Sequence, residues 1–357
     1  MNKELRNQCH TVLPGNRDES PANHFKKMAQ WCEQHDIKHD TYGDGALIQS
    51  FEQKIADLLG FEAGLFVISG TMAQVTALEL VCRQKRNPIV AMHESSHITR
   101  FERQGYQLQN RFNILPVGNM FKPWTLDDLQ KWPDEISAAL YELPMRELGG
   151  QLPAWDELKA IKQHCQLHNI HLHMDGARLW ETAAYYQKSY QEIAHGFNSA
   201  YVSLYKGING LGGSMLLGDK AFIELADMWM KRQGGNVYHR TPYVVSAAMQ
   251  FDERIGMMPA LFEKTKDIYS LLSEFPQLGV NPTQPQANML HLILPLSYES
   301  TVKLCQDLAE HQGIWLGSPQ IAQHPAQSVI EWYIGDNLLA IPLEQLRSIF
   351  QYIVDQL

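Results

Sequence analysis

The sequence lacks the patterns that mark secreted, membrane-spanning and disulfide-rich proteins. Its five cysteines lie far apart and include no CxxC pair, so we expect reduced thiols rather than a disulfide framework. No stretch approaches the roughly 18 apolar residues of a membrane span, and the first twenty residues contain no apolar core. These absences predict a cytoplasmic protein that is neither secreted through a leader nor anchored in a membrane.

Other classes are disfavoured by missing motifs and charges. The formal net charge is -9 and like charges form no long block, which argues against a nucleic-acid backbone as the main partner. A GxGxxG motif after the first strand is absent, and so is the GxxxxGK[ST] order of a phosphate-binding loop. A dinucleotide-dependent dehydrogenase and a P-loop protein are therefore not predicted.

The residues that are present favour a compact enzyme-sized chain. Apolar residues make up 45% of the 357 residues and charged residues 19%, so there is ample material for burial. A chain of this length is expected to form two lobes.

Helical and strand-like patterns alternate along most of the chain. Residues 1–45 show no clear periodicity and carry several prolines and glycines, so they are predicted to form an extended arm. Apolar residues recur at helical spacing over 48–59, with Gly60 placed as a C-terminal cap, and over 72–82 and 155–168. Strand-length apolar runs lie at 64–69, 88–92, 113–117, 138–143, 170–174, 200–204 and 213–217.

This alternation predicts an α/β domain with a mostly parallel sheet flanked by helices. After about residue 250 the pattern changes to long helical stretches with a strand-like run at 289–294, which predicts a smaller α+β lobe. We therefore expect an N-terminal arm over 1–45, a large domain over 46–250 and a small C-terminal domain over 251–357. In an open α/β sheet the site lies beyond the carboxyl ends of the strands.

The first candidate position is the turn Ser69-Gly70-Thr71, between a strand and a helix. Free backbone N–H groups and the positive end of the helix dipole make such a turn a ready anion site, and Gly70 allows a close approach of the backbone to a phosphate. The alternative is an ordinary turn in which Ser69 or Thr71 caps the helix.

The second position is the run from His171 to Arg178, where an acid follows an apolar strand. Asp175 could hold a cationic ring nitrogen, and Arg178 could bind a carboxylate through two hydrogen bonds. The alternatives are a salt bridge between the two or a helix cap by Asp175. We expect no metal site, because His171 and His173 are better explained by a half-exposed strand.

The third position is Lys206, at the end of an apolar strand and followed at once by a glycine-rich turn. A lysine is a good Schiff-base nucleophile when burial or a neighbouring cation lowers its pKa. Taken alone, such a lysine is usually solvated. Together the three positions offer a phosphate cradle, a partner for a pyridinium nitrogen and an amine, which is what pyridoxal 5'-phosphate requires of a protein.

Four stretches carry a family resemblance: Tyr42-Gly43-Asp44-Gly45, the segment from Phe66 to Ala73, the segment from His173 to Leu179, and Lys206-Gly207. They resemble the threonine aldolase and β-eliminating lyase family over residues 40–240. The resemblance implies a pyridoxal-phosphate enzyme with the aspartate aminotransferase fold (fold type I), whose large domain carries a mostly parallel seven-stranded sheet. It also implies a homodimer or homotetramer with active sites at the subunit interface.

The resemblance also implies roles for individual residues. Ser69, Gly70 and Thr71 would bind the phosphate, His97 would stack on the ring and act as a base, and Asp175 would hold the ring nitrogen. Lys206 would form the Schiff base, and Arg178 would take the substrate carboxylate. Ser203 and Lys231 join the cofactor-binding set, with Lys231 reaching a neighbouring subunit's site.

The chain departs from the family at positions that concern the substrate. Cys9 stands where the family usually has a serine that helps to hold the substrate carboxylate. Tyr238 replaces an arginine, with Arg240 two positions later, and Glu331 stands in place of a second carboxylate-binding arginine. We expect Arg146, in the loop after the strand at 138–143, to supply part of this recognition. The alternative is a surface pair of Arg146 with Glu142 or Glu147.

The expected reaction is cleavage of the Cα–Cβ bond of β-hydroxy amino acids such as L-threonine or L-allo-threonine, giving glycine and an aldehyde. Two alternatives stay open. One is a β-eliminating lyase that releases ammonia and a keto acid, with Lys206 as the base. The other is a pyridoxal-phosphate-binding relative without aldolase turnover, motivated by the departures at the substrate positions. The expected partner is a small amino acid, with no nucleic acid and no membrane.

Overall fold

A computed structural model describes residues 3–357, and these form two compact units. The large unit comprises Glu19–Glu147 and Leu152–Gly256. The small unit comprises the described residues through Asp18, Leu148–Gln151 and Met257–Leu357. The division of the chain into domains at residues 45 and 250 stays a prediction.

Strands and helices alternate through the first two thirds of the chain. The strands are β1 (Thr11–Val12), β2 (Ala63–Val67), β3 (Ile89–His93), β4 (Asn113–Val117), β5 (Ala138–Glu142), β6 (His171–Gly176), β7 (Ser199–Ser203), β8 (Ser214–Gly218), β9 (Gly279–Asn281), β10 (Met289–Leu294), β11 (Ile314–Trp315), β12 (Pro319–Ile321) and β13 (Ser328–Tyr333). The α-helices are α1 (Lys3–Gln8), α2 (Pro21–Gln34), α3 (Ala46–Leu59), α4 (Gly70–Lys85), α5 (His97–Phe101), α6 (Gly105–Leu108), α7 (Leu126–Gln130), α8 (Trp155–Leu167), α9 (Ala183–Tyr186), α10 (Tyr190–Ala194), α11 (Lys220–Arg232), α12 (Thr241–Ala248), α13 (Phe251–Leu272), α14 (Tyr298–Gln312), α15 (Asp336–Ala340) and α16 (Leu343–Val354).

The large unit is built on a seven-stranded sheet with the order β2-β8-β7-β6-β5-β3-β4. Neighbouring strands from β7 through β4 pair in parallel, and β8 runs antiparallel to both of its neighbours. Helices α3, α4, α8 and α11 pack against the sheet. The prediction of a mostly parallel seven-stranded α/β sheet is confirmed.

The helices of the large unit begin and end at residues whose chemistry accounts for their limits. Ser69 caps α4 by accepting a hydrogen bond from the backbone N–H of Met72 at 3.2 Å. Gly60 ends α3 in the left-handed conformation, as the sequence predicted. Helix α4 is buried from Ala73 to Cys82. It therefore places its N-terminus rigidly at the carboxyl edge of the sheet.

The small unit carries a second sheet and its own core. Strands β12, β13, β10 and β9 form a four-stranded antiparallel sheet, and β1 pairs in parallel with β11. Its core gathers the apolar faces of α14 and α16 around Trp332 and Phe350. This agrees with the predicted smaller α+β region. Across residues 3–357 no helix is both long and apolar enough to cross a membrane.

The expectation of an extended conformation for residues 1–45 is wrong for the segments that form α1 and α2, and α2 is the longer of the two. Ser20 caps this 14-residue helix by accepting from the N–H of Asn23, and Pro21 occupies its first turn. Met28 is the buried residue of the helix. Few of its residues are apolar, so no run of apolar residues marked this helix in the sequence.

Candidate active site

The carboxyl ends of the parallel strands bring the sequence-predicted positions of the large unit to one edge of the sheet. Asp175 is the second-to-last residue of β6, directly beside Glu142 at the end of β5. Lys206 follows β7, whose strand pairs in parallel with β6. His97 and the Ser69–Thr71 turn follow β3 and β2. The fold therefore gathers residues that are more than 130 positions apart in the sequence.

Lys206 is a partly buried amine among charged groups. Burial, and after it the Arg178 guanidinium, lower its pKa to about 8. The carboxyl groups of Asp175 and Glu142 act in the opposite direction. A lysine whose pKa is lowered to about 8 is about half free amine near pH 8, and the free amine is what a nucleophile requires.

Ser203 shapes the turn that presents Lys206. Its buried hydroxyl accepts hydrogen bonds from the backbone N–H of Lys206 at 3.1 Å and of Tyr205 at 3.3 Å. Arg254 donates from Nε to the carbonyl oxygen of Gly207 at 3.1 Å. The turn is thus held from both sides. Ser203 therefore fixes the backbone position of Lys206.

Asp175 is buried, and its Oδ1 accepts the backbone N–H of Ala177 at 3.0 Å. This bond closes a local turn after Asp175 and caps no helix, because Arg178 is the N-terminal cap residue of the next helical turn, and it leaves further lone pairs on the carboxylate. Arg178, three positions later, is half-buried and acts on the pKa of Lys206. Asp175 and Arg178 are therefore both close enough to Lys206 to shift its pKa.

The Ser69–Thr71 turn has the form of an anion site. Thr71 is exposed at the start of the 16-residue helix α4, and Gly70 is buried against the ring of Tyr201. A Cβ at Gly70 would overlap the Tyr201 phenol ring. Glycine is therefore required for the helix to approach the sheet this closely.

His97 lies at the start of α5, with its ring centroid 5.3 Å from that of Phe101. Its Nδ1 is 3.0 Å from Oε1 of Glu102, whose side chain is 2% exposed. The His97 side chain itself is 39% exposed. Glu102 was not singled out from the sequence. An acid five residues after a histidine could have suggested the pair if the short helix had been foreseen.

Arg146 lies beside the same aromatic ring but is already paired. Its guanidinium carbon is 5.5 Å from the Phe101 ring centroid, and Nη1 is 3.5 Å from Oε1 of Glu147. Its backbone N–H donates to Glu142 Oε1 at 3.0 Å. The surface pair considered from the sequence is thus formed, and binding of a substrate carboxylate by Arg146 stays a prediction.

Glu142 is the main residue of this cluster that sequence reasoning missed as a site residue. It is buried, and its Oε2 has no hydrogen-bond partner among residues 3–357. Burial, and after it the neighbouring Asp175, raise its pKa to about 8, while Arg178 and Lys206 act against this. The sequence feature that could have revealed Glu142 is its position as an acid at the end of the apolar run of β5, like that of Asp175 near the end of β6.

We expect Glu142→Gln to stabilise the protein at pH 8. The folded-state pKa is raised, so the contribution of Glu142 to stability is full below about pH 4.5 and is lost as pH rises through about 8. Glutamine keeps the shape without the titration. The gain should be roughly 2–5 kcal/mol at pH 8 and should shrink toward pH 5, since one pKa unit corresponds to about 1.4 kcal/mol.

The measurement is urea unfolding of cofactor-free protein at both pH values. Glu263→Gln, on an exposed face of α13, is the control and should change the free energy of unfolding by less than about 0.5 kcal/mol. An equal free energy of unfolding for Glu142→Gln and wild type at pH 8 would contradict the assignment.

The two histidines of β6 share a serine hydroxyl. His171 Nε2 and His173 Nδ1 each lie 2.7 Å from Ser199 Oγ. Burial lowers their pKa values to about 4 and about 3, so both rings are neutral near pH 7. The expected half-exposed strand is wrong, because α4 and α8 cover β6 from Leu172 onward. Over residues 3–357 no group of three or more His, Cys, Asp or Glu side chains is arranged to hold a metal ion.

The remaining predicted residues have other partners within their own units. Lys231, in the last turn of α11, pairs with Asp227 at 2.6 Å. The buried Arg240 donates to Phe66 O at 3.4 Å and Asn236 Oδ1 at 3.2 Å, so it supports the large unit from within.

The substrate-binding candidate Cys9 and the departure at Glu331 belong to the small unit. Cys9 Sγ lies 3.3 Å from the carbonyl oxygen of Leu5, which it can reach as a weak donor. Glu331 lies across β10 from His291, with Oε2 3.9 Å from the imidazole Nε2. An acid at this position does not bind a carboxylate, which agrees with the departure noted from the sequence.

Comparisons with known proteins identify the class. Residues 20–294 match the β-eliminating lyase family. A crystal structure of a candidate L-allo-threonine aldolase from Listeria monocytogenes EGD-E superposes with a TM-score of 0.92 at 34% identity, covering 99% of this chain and 98% of that one. The chain therefore belongs to the β-eliminating lyase family, which has fold type I and depends on pyridoxal phosphate.

Among curated proteins, the relatives of this chain include low-specificity threonine aldolases. The L-threonine aldolase of Eremothecium gossypii is 32% identical over 196 residues, 52% of this chain and 50% of that protein. The enzyme of Escherichia coli O157:H7 is 28% identical over 260 residues, 71% of this chain and 76% of that protein. The chain thus spans about half the length of some curated relatives that it matches. The predicted family, fold type and enzyme class are confirmed.

The residues of the large unit fit pyridoxal phosphate. They provide an amine of lowered pKa at Lys206, an acid at Asp175 and the N-terminus of α4. The buried Oε2 of Glu142, which lacks a partner within residues 3–357, marks a polar space beside them. A long helix N-terminus suits a phosphate, and a buried carboxylate suits a protonated ring nitrogen.

Proposed function

We propose that this protein is a pyridoxal-phosphate-dependent lyase that cleaves the Cα–Cβ bond of β-hydroxy amino acids, such as L-threonine and L-allo-threonine, to glycine and an aldehyde. The observation that carries the proposal is Lys206, an amine of lowered pKa grouped with Asp175 and Arg178. The likeness to a candidate L-allo-threonine aldolase over 99% of the chain supports the same reaction.

The cofactor would be held from several sides. Lys206 Nζ would attach it covalently, Asp175 would pair with its ring nitrogen, and His97 would stack on the ring. Its phosphate would lie on the turn formed by Ser69, Gly70 and Thr71. When bound, the cofactor supplies an electron sink for the pair released at the substrate Cα.

On the substrate side, Arg178 would bind the carboxylate through its planar fork. His97, directly or through a water, would accept the proton of the β-hydroxyl, so that the C–O bond becomes C=O as the Cα–Cβ bond breaks. A proton is then returned to Cα and glycine leaves.

β-Elimination is a second candidate for the same site. Lys206, with its pKa lowered to about 8, could serve as the base that removes the Cα proton. A leaving group at Cβ would then depart, and ammonia and a keto acid would be released. A third candidate, a cofactor-binding relative without aldolase turnover, is motivated by Tyr238 and Glu331 at the family's arginine positions. The grouping of Lys206, Asp175 and Arg178 opposes it.

Product analysis separates these functions. Purified protein saturated with cofactor would be supplied with L-threonine, L-allo-threonine, L-serine and a β-chloro amino acid, and glycine, aldehyde, ammonia and keto acid would be quantified. We expect glycine and aldehyde in equal amounts from the β-hydroxy substrates. Ammonia and keto acid without glycine would establish β-elimination, and no product from any substrate would establish the relative without turnover.

Arg146→Ala is expected to weaken substrate binding by about ten- to a hundredfold, because a charged hydrogen bond to a carboxylate is worth roughly 1.5–3 kcal/mol. Arg146→Lys should recover part of this loss through its point charge. The measurement is a spectral titration with substrate, with cofactor content checked. Arg347→Ala, at an exposed ion pair with Glu274, is the matched control. Unchanged dissociation constants in both Arg146 variants would leave Arg178 as the anchor.

We also propose, from the family resemblance, that the protein acts in the cytoplasm as a homodimer or homotetramer. Lys231 would then approach the cofactor of a neighbouring subunit, and Cys9 would lie near the substrate carboxylate. The Lys231 side chain is 45% exposed, so it could leave Asp227 and pair with a phosphate instead.

A further inference from the structure

The pair formed by His97 and Glu102 has the geometry of an oriented base. Oε1 of Glu102 lies 3.0 Å from Nδ1 of the imidazole, within ordinary hydrogen-bond range. The Glu102 side chain is 2% exposed and its Oε2 has no hydrogen-bond partner among residues 3–357. The imidazole is therefore the side-chain partner of a buried acid.

This contact determines which ring nitrogen carries the proton. An ionised carboxylate can only accept, so Nδ1 must be the N–H that donates to Glu102. In the neutral ring the lone pair is then on Nε2. Within the described part of the chain Nε2 has no hydrogen-bond partner, and the His97 side chain is partly open to solvent. The open nitrogen is thus the basic one.

Helix stability does not account for an acid at this position. Glu102 is the C-terminal cap residue of α5, where a negative charge is unfavourable next to the negative end of the helix dipole. Burying a carboxylate also costs free energy unless it is paired. The contact with His97 is the compensation that the structure shows.

We propose that Glu102 is a positioning residue that fixes His97 in the tautomer with Nε2 as proton acceptor. When the β-hydroxyl proton passes to Nε2, the carboxylate stabilises the resulting imidazolium through Nδ1–H. The hydroxyl oxygen becomes the aldehyde oxygen, and the Cα–Cβ electron pair stays on Cα. This inference rests on the proposed aldolase function and adds an assignment to it.

The test combines two variants with kinetic and spectroscopic readouts. Glu102→Gln keeps the shape without the charge, and Glu102→Leu removes the acceptor. We expect kcat for glycine release to fall about ten- to a hundredfold, by analogy with the loss seen when a partner that orients a metal-bound histidine is removed. KM and the intensity of the cofactor absorption band should each remain within about twofold of the wild-type value. Glu94→Gln, a half-buried acid three positions before His97, is the control and should keep wild-type kcat.

The second readout is independent of turnover. In protein labelled with ¹⁵N-histidine, with the His97 signal assigned through His97→Asn, the wild type should show Nδ1–H and Glu102→Leu should shift the ring toward Nε2–H. An unchanged tautomer in Glu102→Leu, or an unchanged kcat in both variants, would overturn the proposal. If the wild type releases no glycine, the proposed function fails, and the tautomer still decides the assignment of Glu102.

Discussion

Replacing Asp175 by alanine is expected to leave the fold intact and to reduce turnover by at least about a hundredfold, the scale of losing a preorganised electrostatic partner. Asp175 is buried at the end of β6 and shares its environment with Lys206. Its carboxylate would keep the cofactor's ring nitrogen protonated, and alanine cannot do this.

A capping acid elsewhere in the large unit gives the matched control. Asp219 caps α11 by accepting from Phe222 N–H at 2.7 Å, much as Asp175 accepts from Ala177. Asp219→Ala should lower the free energy of unfolding by about 1 kcal/mol and keep wild-type turnover. The measurement is turnover at saturating cofactor together with urea unfolding. Near-normal turnover in Asp175→Ala would show that this acid only holds the local turn through Ala177 N–H.

Replacing Lys206 by alanine is expected to lower turnover by about a thousandfold or more, the scale seen when a group that forms the covalent bond is removed. The substitution removes the amine that is proposed to attach the cofactor, and no other amine is proposed to replace it. The measurement is glycine release with exogenous cofactor in excess, compared with wild type at equal protein concentration.

Lys162 is a demanding control for this experiment. It is also buried, and burial also lowers its pKa to about 8. Its Nζ donates to the carbonyl oxygen of Ile193 at 2.8 Å and lies 4.9 Å from the Phe197 ring centroid. Lys162→Ala should therefore lose stability and keep turnover. Full turnover in Lys206→Ala, or its loss in Lys162→Ala alone, would contradict the assignment.

Much of the large unit could be predicted because local patterns determine it. The run at 113–117 was predicted with the limits that β4 has, and the other runs differ from their strands by one or two residues. Strands buried on both faces are continuous apolar runs, which are readable without knowledge of their neighbours. The acid near the end of β6 and the lysine after β7 could be recognised for the same reason, since each follows an apolar run.

The remaining site residues depend on contacts between distant segments. Glu142 is important because β5 and β6 pair in the register that sets it opposite Asp175, and no local pattern gives that register. The contact of Glu102 with His97 depends on α5 ending at Phe101, and a five-residue helix is too short to leave a clear pattern in the sequence. Arg146 was placed correctly after β5, but its partner Glu147 was one of several that the sequence allowed.

The central claim is that Lys206 holds pyridoxal phosphate. The most direct test is borohydride reduction of the cofactor-loaded protein, followed by proteolysis and mass spectrometry of the modified peptides. The account predicts that the reduced cofactor is attached stoichiometrically to the peptide containing Lys206, and that no adduct forms in Lys206→Ala. An adduct of equal yield on Lys162 or another lysine, or an undiminished adduct in Lys206→Ala, would contradict it.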